Sequence, residues 1–312
     1  MKILLNYIKV MKIKDNEIMI TGSDGMVGQE LKSLYPNSIN VTHKDFDLTK
    51  ENDVKYLFYK YQPRVIIHLA ARVGGVMDNI KNPAIYFDDN ILMNTLMVKY
   101  AKENNVERFI GILSSCIFPD IMETYPMKEN DLHLGPPTLT NFSYGYAKRS
   151  LAVQIDAYNQ QYGTKYNYVM PCNMYGEHDK IDVIKSHFIA ALLIKIKEAV
   201  NKGNNHITLY GDGTPLRQFM HAKDLALILK YMVDNDIYEN LNIATEENLS
   251  INDMAKIALK VTNNEHLEIR YDSTKPNGQY RKDISIERLK EVIPNYKFIT
   301  LEEGIKEVYG KI

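Results

Sequence analysis

Short apolar runs alternate with longer segments in which apolar residues recur three or four positions apart. The runs EIMITG (17–22), SINVTH (38–43), VIIHLA (65–70), RFIGILSS (108–115) and NYVMPC (167–172) have the length and composition of buried strands. Between them MVGQELKSLY (26–35), ENDVKYLFYKY (51–61), ILMNTLMVKYAKEN (91–104) and SLAVQIDAYNQQYG (150–163) carry the helical period. A repeated βα unit predicts an α/β fold, a doubly wound parallel sheet of the Rossmann kind with helices on both faces. Beyond residue 172 the pattern loosens. Pro and Gly gather at YGEHD (175–179), YGDGTP (210–215) and KPNGQY (275–280), and helices are expected near 186–202, 222–234 and 251–262. This predicts a second, smaller α/β substrate domain interleaved with the first. The expected division is 1–170 plus about 218–247 for the dinucleotide-binding domain, and 171–217 plus about 248–312 for the substrate domain.

The first strand runs into ITGSDGMVGQEL, with Gly22, Gly25 and Gly28 in a Gly-x-x-Gly-x-x-Gly spacing that opens a helix. Glycines let backbone amides approach a pyrophosphate, and the helix N-terminus favours its charge. In this strand–loop–helix context the loop reads as a dinucleotide site rather than an ordinary tight turn. The second strand ends VTHKDFDL. An acidic residue at that tip would receive the ribose hydroxyls of NAD; here His43 and Lys44 come first, a basic tip that suits the 2′-phosphate of NADPH. Asp47 is set for the adenine edge.

Charge narrows the partners. The chain of 312 residues has 38 Lys and Arg against 39 Asp and Glu, a formal net charge of -1, which argues against nucleic acid and anionic membranes. Two cysteines make no disulfide framework, so a reducing, cytoplasmic setting is expected. No apolar run is long enough for a membrane span. The opening MKILLNYIKVMKIKDNE is a poor signal peptide; it reads either as an extra turn or strand or as an artefact of the chosen start, since Met11 would also serve.

Candidate chemistry lies in FSYGYAKRSLA, where Tyr144 stands four residues before Lys148, on one face of a helix. A nearby ammonium is expected to lower the phenol's pKa, so that the tyrosine protonates a ketone oxygen as hydride arrives at carbon. A serine from Ser114 or Ser115, at the end of the preceding strand, would steady that oxygen. Cys116 follows directly. On composition alone it reads as a small core residue, as Cys172 does. A zinc site from Cys116, Cys172, His178 and His187 lacks a recognisable ligand spacing.

Taken together, TGSDGMVG, HLAARVGGV, SSCIFP, YGYAK, MPCNMYGEHD, SHFIAALL and YGDGTPLRQFMHAKDLA resemble the GDP-L-fucose synthase family of extended short-chain dehydrogenase/reductases, in register from about residue 17 to 310. The resemblance implies a two-lobed homodimer that epimerises a GDP-4-keto-6-deoxymannose at C3 and C5 and then reduces the C4 ketone with NADPH. It gives Ser114, Tyr144 and Lys148 the reductase roles and makes Cys116 and His187 the epimerisation acid/base pair. It implies cofactor contacts at Gly22, Gly25, Met26, Val27, Gly28, His43, Lys44, Asp47, Leu48, Leu69, Ala70, Ala71, Asn90, Tyr144, Lys148, Pro171 and Asn173. Substrate contacts fall to Ser115, Asn173, Lys195, Tyr210, Arg217, Arg281 and Lys282, with Arg217 and the Arg281–Lys282 pair on the nucleotide diphosphate. Ser186 is expected as the N-cap of a helix with His187 in its first turn, where the helix N-terminus lowers the histidine's pKa.

The chain departs from the family pattern at several places. Asp24 stands where the family tends to carry an arginine for the 2′-phosphate. Lys195 replaces an active-site arginine and Tyr210 a tryptophan, and EHDKIDV differs near the sugar. These changes cluster around the hexose. Two alternatives therefore stand beside the leading reading: a C4 reductase of a related GDP-4-keto (6-deoxy-)heptose with little or no epimerisation, and a catalytically silent cofactor-binding scaffold. A nucleotide-sugar 4,6-dehydratase is rejected, because SSCIF lacks the Asp–Glu pair that reaction needs.

Overall fold

In a computed structural model, residues 13–179 and 187–312 are described. The strands are β1 (Ile18–Thr21), β2 (Ile39–Val41), β3 (Val65–His68), β4 (Arg108–Ile112), β5 (Tyr166–Pro171), β6 (Asn173–Tyr175), β7 (His206–Tyr210), β8 (Leu216–Arg217), β9 (Phe219–His221), β10 (Leu241–Ile243), β11 (Leu249–Ser250) and β12 (Glu268–Asp272). The helices are α1 (Met26–Leu34), α2 (Glu51–Tyr61), α3 (Val76–Lys81), α4 (Pro83–Glu103), α5 (Phe142–Tyr162), α6 (Phe188–Asn201), α7 (Ala222–Asp234), α8 (Ile251–Val261), α9 (Glu287–Val292) and α10 (Leu301–Tyr309). Ser186, expected as a helix cap, lies outside the described residues, and so does most of residues 1–16.

Six strands form one parallel sheet in the order β10-β5-β4-β3-β1-β2. All five strands expected from the apolar runs are in it. The sixth, β10, is too short to announce itself in a periodicity. β1, β3, β4 and β5 are buried along their whole length, as strands covered on both faces must be. α1 packs with α7, and α4 with α5 and α2. The chain goes outward from β1 to β2 and then crosses back to β3 on the other side of β1. That reversal opens a crevice at the carboxyl ends of β1 and β3, the place where open α/β sheets bind their ligands.

A second apolar cluster gathers Ile189, Leu193 and Ile196 of α6, Ile207 and Leu209 of β7, Met254 and Leu259 of α8, and Ile305 and Val308 of α10. β7 and β12 form its small parallel sheet. The segment 279–285 joins the two bodies. Gln279 Nε2 donates to the carbonyls of Pro119 and Asp120 at 3.1 and 3.0 Å, Met127 N donates to Asp283 O at 2.9 Å, and Ser285 N to Met127 O at 2.7 Å. The chain that follows Cys116 is thereby stitched to the chain that carries Arg281 and Lys282. Among the described residues no helix is long and apolar enough to cross a membrane.

Candidate active site

The glycine loop follows β1 as its spacing requires. Gly22 has φ +68, and a Cβ there would come within 2.9 Å of the Ala70 amide nitrogen. A Cβ on Gly28 would meet Gly22 O at 2.4 Å. Gly25 caps α1, and Met26, Val27 and Gly28 form its first turn. These contacts close the loop against Leu69 and Ala70 at the end of β3, with Ala71 next in the chain, leaving helix N-terminal amides at the mouth of the crevice, a cradle that fits a pyrophosphate. At the tip of β2 the two nearby carboxylates are already engaged. Asp45 accepts from Thr42 N and Oγ1 at 3.3 and 2.7 Å; Asp47 accepts from Thr49 and pairs with Lys50 at 3.4 Å. His43 and Lys44 are exposed, Asp24 is exposed in the loop, and Leu48 is buried behind.

Asn90 lies beside the loop that follows β3. Its amide is enclosed: Nδ2 donates to Tyr86 O at 2.7 Å and Arg72 O at 3.1 Å, and Oδ1 accepts from Arg72 N at 3.1 Å. With both ends spent on backbone it shapes the loop after Ala71 and has no donor to offer a cofactor. Pro171 closes β5 beside Ile243, and Asn173 Nδ2 donates to Gln218 O at 2.9 Å.

The end of β4 and the start of α5 build the candidate reaction centre. Ser114 caps a short turn by accepting from Cys116 N at 3.2 Å. Gly145 has no room for a side chain, since a Cβ would lie 2.9 Å from Cys116 O and 2.8 Å from Pro137 Cβ. The start of α5 therefore sits directly on the Ser-Ser-Cys turn and brings Tyr144 to Ser114. Ser115 itself is buried. Tyr86 packs edge-on to the Tyr144 ring, centroids 6.4 Å apart. Lys148, one turn on, is buried and donates from Nζ to Ile112 O at 2.8 Å.

From the far side of the chain, Lys282 Nζ comes to 3.5 Å from Cys116 Sγ. Burial alone would push the Cys116 thiol up. The Lys282 ammonium, the Ser114 hydroxyl and the Asn141 amide outweigh it and hold the thiol below its ordinary value. Tyr144 goes the other way. Burial and the Cys116 charge raise its phenol above the usual range, against the Ser114 hydroxyl. The expectation that Lys148 lowers the tyrosine is thus not met; the ammonium is turned onto Ile112 O, is itself pushed down to about 8 by burial, and burial decides the phenol. Arg217 is pushed down to about 10 by burial, with the Cys116 charge opposing. Lys148, Lys282 and Arg217 have no carboxylate partner among the described residues; Arg217 donates only to the carbonyls of Leu216 and Tyr280. One buried and two half-buried cations without a carboxylate suit an anionic ligand.

Several expected neighbours stand elsewhere. Arg281 and Lys282 have different partners in the structure. They are adjacent on extended chain and point apart. Arg281 grips Asp283 through two nitrogens at 2.6 and 3.0 Å and stacks on Tyr125, while Lys282 turns inward. Lys195 donates to Thr208 O at 2.7 Å and lies over the ring of Tyr210, which is 54% exposed. His187 is the N-cap of α6 rather than a residue of its first turn, and its imidazole Nδ1 is 3.0 Å from Asp179 Oδ1. The charged group set against Cys116 is Lys282. Asn141, Tyr86 and Asp179 escaped the sequence reading. Only Asn141 had a usable signal, an Asn at the start of a helix.

Residues 18–244 match the family model described as "NAD dependent epimerase/dehydratase family". The chain is 35% identical over 302 residues to a GDP-L-fucose synthase of Dictyostelium discoideum, with 93% of each chain covered. The chain belongs to this family, in its GDP-L-fucose synthase group. It is also 31% identical to the GDP-L-colitose synthase of Yersinia pseudotuberculosis, covering 93% of this chain and 96% of that one. Among solved structures, a GDP-L-fucose synthetase from Naegleria fowleri bound to NADP superposes with a TM-score of 0.83 at 30% identity, over 94% of this chain and 91% of that chain. The six-stranded parallel sheet and its glycine loop are thus those of an epimerase/dehydratase-family Rossmann domain.

Proposed function

We propose that this member of the GDP-L-fucose synthase group epimerises a GDP-4-keto-6-deoxyhexose at C3 and C5 and reduces its C4 ketone with NADPH. One observation carries the reading. Around the shared Ser114 hydroxyl, Cys116 is pushed down and Tyr144 is pushed up. Two neighbouring groups whose environments drive them apart make an acid/base assignment: thiolate as base, phenol as acid.

NADPH supplies the hydride when bound. The glycine loop and the N-terminus of α1 hold its pyrophosphate, and His43 and Lys44 take the 2′-phosphate. Lys282 and Arg217 receive the anionic part of the sugar nucleotide. Ser114 and Tyr144 polarise the C4 ketone, which acidifies the protons on its neighbouring carbons. The Cys116 thiolate removes such a proton, and His187 returns one from the opposite face. Tyr144 then gives its proton to the ketone oxygen. The sheet body, 1–170 with about 218–247, serves the cofactor, and 171–217 with about 248–312 serves the sugar nucleotide. A reducing, cytoplasmic setting keeps Cys116 a thiol; both cysteines are free.

The same reading takes the chain as a homodimer joined through α4 and α5, whose outer faces leave Ile85, Leu92 and Val153 exposed. A monomer by sedimentation at micromolar concentration would remove that part. A silent scaffold would have no use for a depressed thiol beside a raised phenol. The test is incubation with GDP-4-keto-6-deoxymannose and GDP-4-keto-heptoses in deuterated water, following NADPH oxidation and solvent deuterium by NMR. Deuterium at C3 and C5 with a 4-hydroxy product supports the proposal. Reduction without exchange leaves a reductase alone, and no oxidation with any 4-keto sugar overturns it.

A further inference from the structure

His187 has an orienting carboxylate in the structure that the sequence reading did not assign. Asp179 Oδ1 lies 3.0 Å from His187 Nδ1, and Asp179 Oδ2 accepts from His187 N at 3.1 Å. Both oxygens of one carboxylate hold one residue, its ring and its backbone. The Asp179 side chain is buried, at 5% exposure, while the imidazole is 45% exposed. A carboxylate only accepts, so Nδ1 carries the hydrogen and Nε2 is the nitrogen left to exchange a proton.

The base under Asp179 is rigid. The turn Gly176–Asp179 is closed by Asp179 N donating to Gly176 O at 3.2 Å. Gly176 is wedged between α1 and α7; a Cβ there would lie 3.0 Å from Ala222 Cβ and 3.5 Å from Met26. Glu177 is held from two helices, by Lys223 of α7 at 2.7 Å and by Lys311 just past α10. Lys223 also grips Glu307 of α10. A hydrogen bond with the Glu307 carboxyl, and then the two lysines, hold the Glu177 carboxyl well below the usual carboxylate range. The turn is thus nailed to the cofactor body on one side and to the second core on the other, and Asp179 projects from it to the start of α6.

We infer that Asp179 is a positioning residue that fixes the tautomer and ring direction of His187, with the Glu177–Lys223–Lys311 clamp as its footing. The inference rests on the proposed acid/base role of His187. A carboxylate on Nδ1 makes a histidine's other nitrogen a directed proton carrier, and removing such a partner while keeping its shape characteristically spoils the chemistry and leaves the fold.

The test compares Asp179→Asn, Asp179→Glu and His187→Asn with wild type. The direct readout is the nitrogen NMR signature of His187 in the full-length protein. Wild type should show Nδ1 protonated, and Asp179→Asn should mix or reverse the tautomers. Solvent deuterium exchange into the 4-keto sugar should fall ten- to a hundredfold in Asp179→Asn and recover in part in Asp179→Glu. NADPH oxidation with a ketone already in the product configuration should stay within about threefold. An unchanged His187 signature in Asp179→Asn, or equal loss of exchange and reduction, overturns the positioning inference. If His187→Asn itself leaves exchange intact, the acid/base role of His187 falls instead, and the nitrogen signature still decides whether Asp179 orients the ring.

Discussion

Lys282 Nζ sits 3.5 Å from Cys116 Sγ, bridging two residues 166 positions apart in the chain. An ammonium at that distance outweighs the partial burial of the thiol and helps hold it below its ordinary pKa. Lys282→Met is expected to raise the midpoint of Cys116 ionisation by about one pH unit or more. The thiolate's ultraviolet absorbance, titrated in a Cys172→Ser background, measures it. An unmoved midpoint would mean that Ser114 and Asn141, not Lys282, set the thiol.

Tyr144 is the phenol pushed upward beside that thiol, hence protonated and ready to donate. Tyr144→Phe should lower NADPH-dependent ketone reduction about a hundredfold or more, the scale of a lost general acid. Cofactor affinity should stay within a few-fold, because the loop of Gly22, Gly25 and Gly28 is untouched. Activity within tenfold of wild type would assign the proton to another donor.

At the β2 tip, Asp45 and Asp47 are taken up by Thr42, Thr49 and Lys50, which leaves His43 and Lys44 as the groups facing outward. NADPH is expected to bind roughly ten- to a hundredfold tighter than NADH, the worth of one or two charge-assisted contacts. His43→Ala with Lys44→Ala should erase most of that difference while leaving NADH binding alone. Equal affinities of wild type for the two cofactors, by calorimetry, would show that Asp24 governs the site.

His68 ties the cofactor strands together. Its Nδ1 accepts from Thr21 Oγ1 at 2.8 Å, its Nε2 is 3.2 Å from Asn94 Oδ1, and Thr21 Oγ1 accepts from the Ala70 amide at 3.2 Å. Burial, and then the charge of Lys148, push its pKa down to about 3. The folded value lies below the unfolded one near 6.5. The contribution of the neutral ring is therefore complete above about pH 6.5 and lost as pH falls toward 3. Between pH 7 and 4.5 wild type should lose roughly 2–3 kcal/mol more stability than His68→Gln. Urea midpoints at the two pH values report it, and parallel losses in the two proteins would count against a buried neutral His68.

What the sequence by itself determined is local. Apolar period fixes β1 to β5 and the helices between them, and the Gly22–Gly25–Gly28 spacing fixes the loop, because a positive φ at Gly22 and close backbone approaches at Gly22 and Gly28 leave no other residue room there. The Tyr144–Lys148 spacing likewise follows from helical geometry alone. Tertiary structure decided everything that depends on which distant segment arrives opposite. Arg281 and Lys282 are neighbours in sequence, yet extended backbone sends one to Asp283 and the other to Cys116. Asn90 looks free until Arg72 and Tyr86 consume its amide. Asp179 meets His187 only because two lysines from α7 and the end of α10 pin the turn between them. The sign of the Tyr144 shift belongs to the same class. A spacing records which groups share a helix face, but the solvation and charge that set a pKa come from the whole surrounding shell, and that shell exists only once the chain has packed.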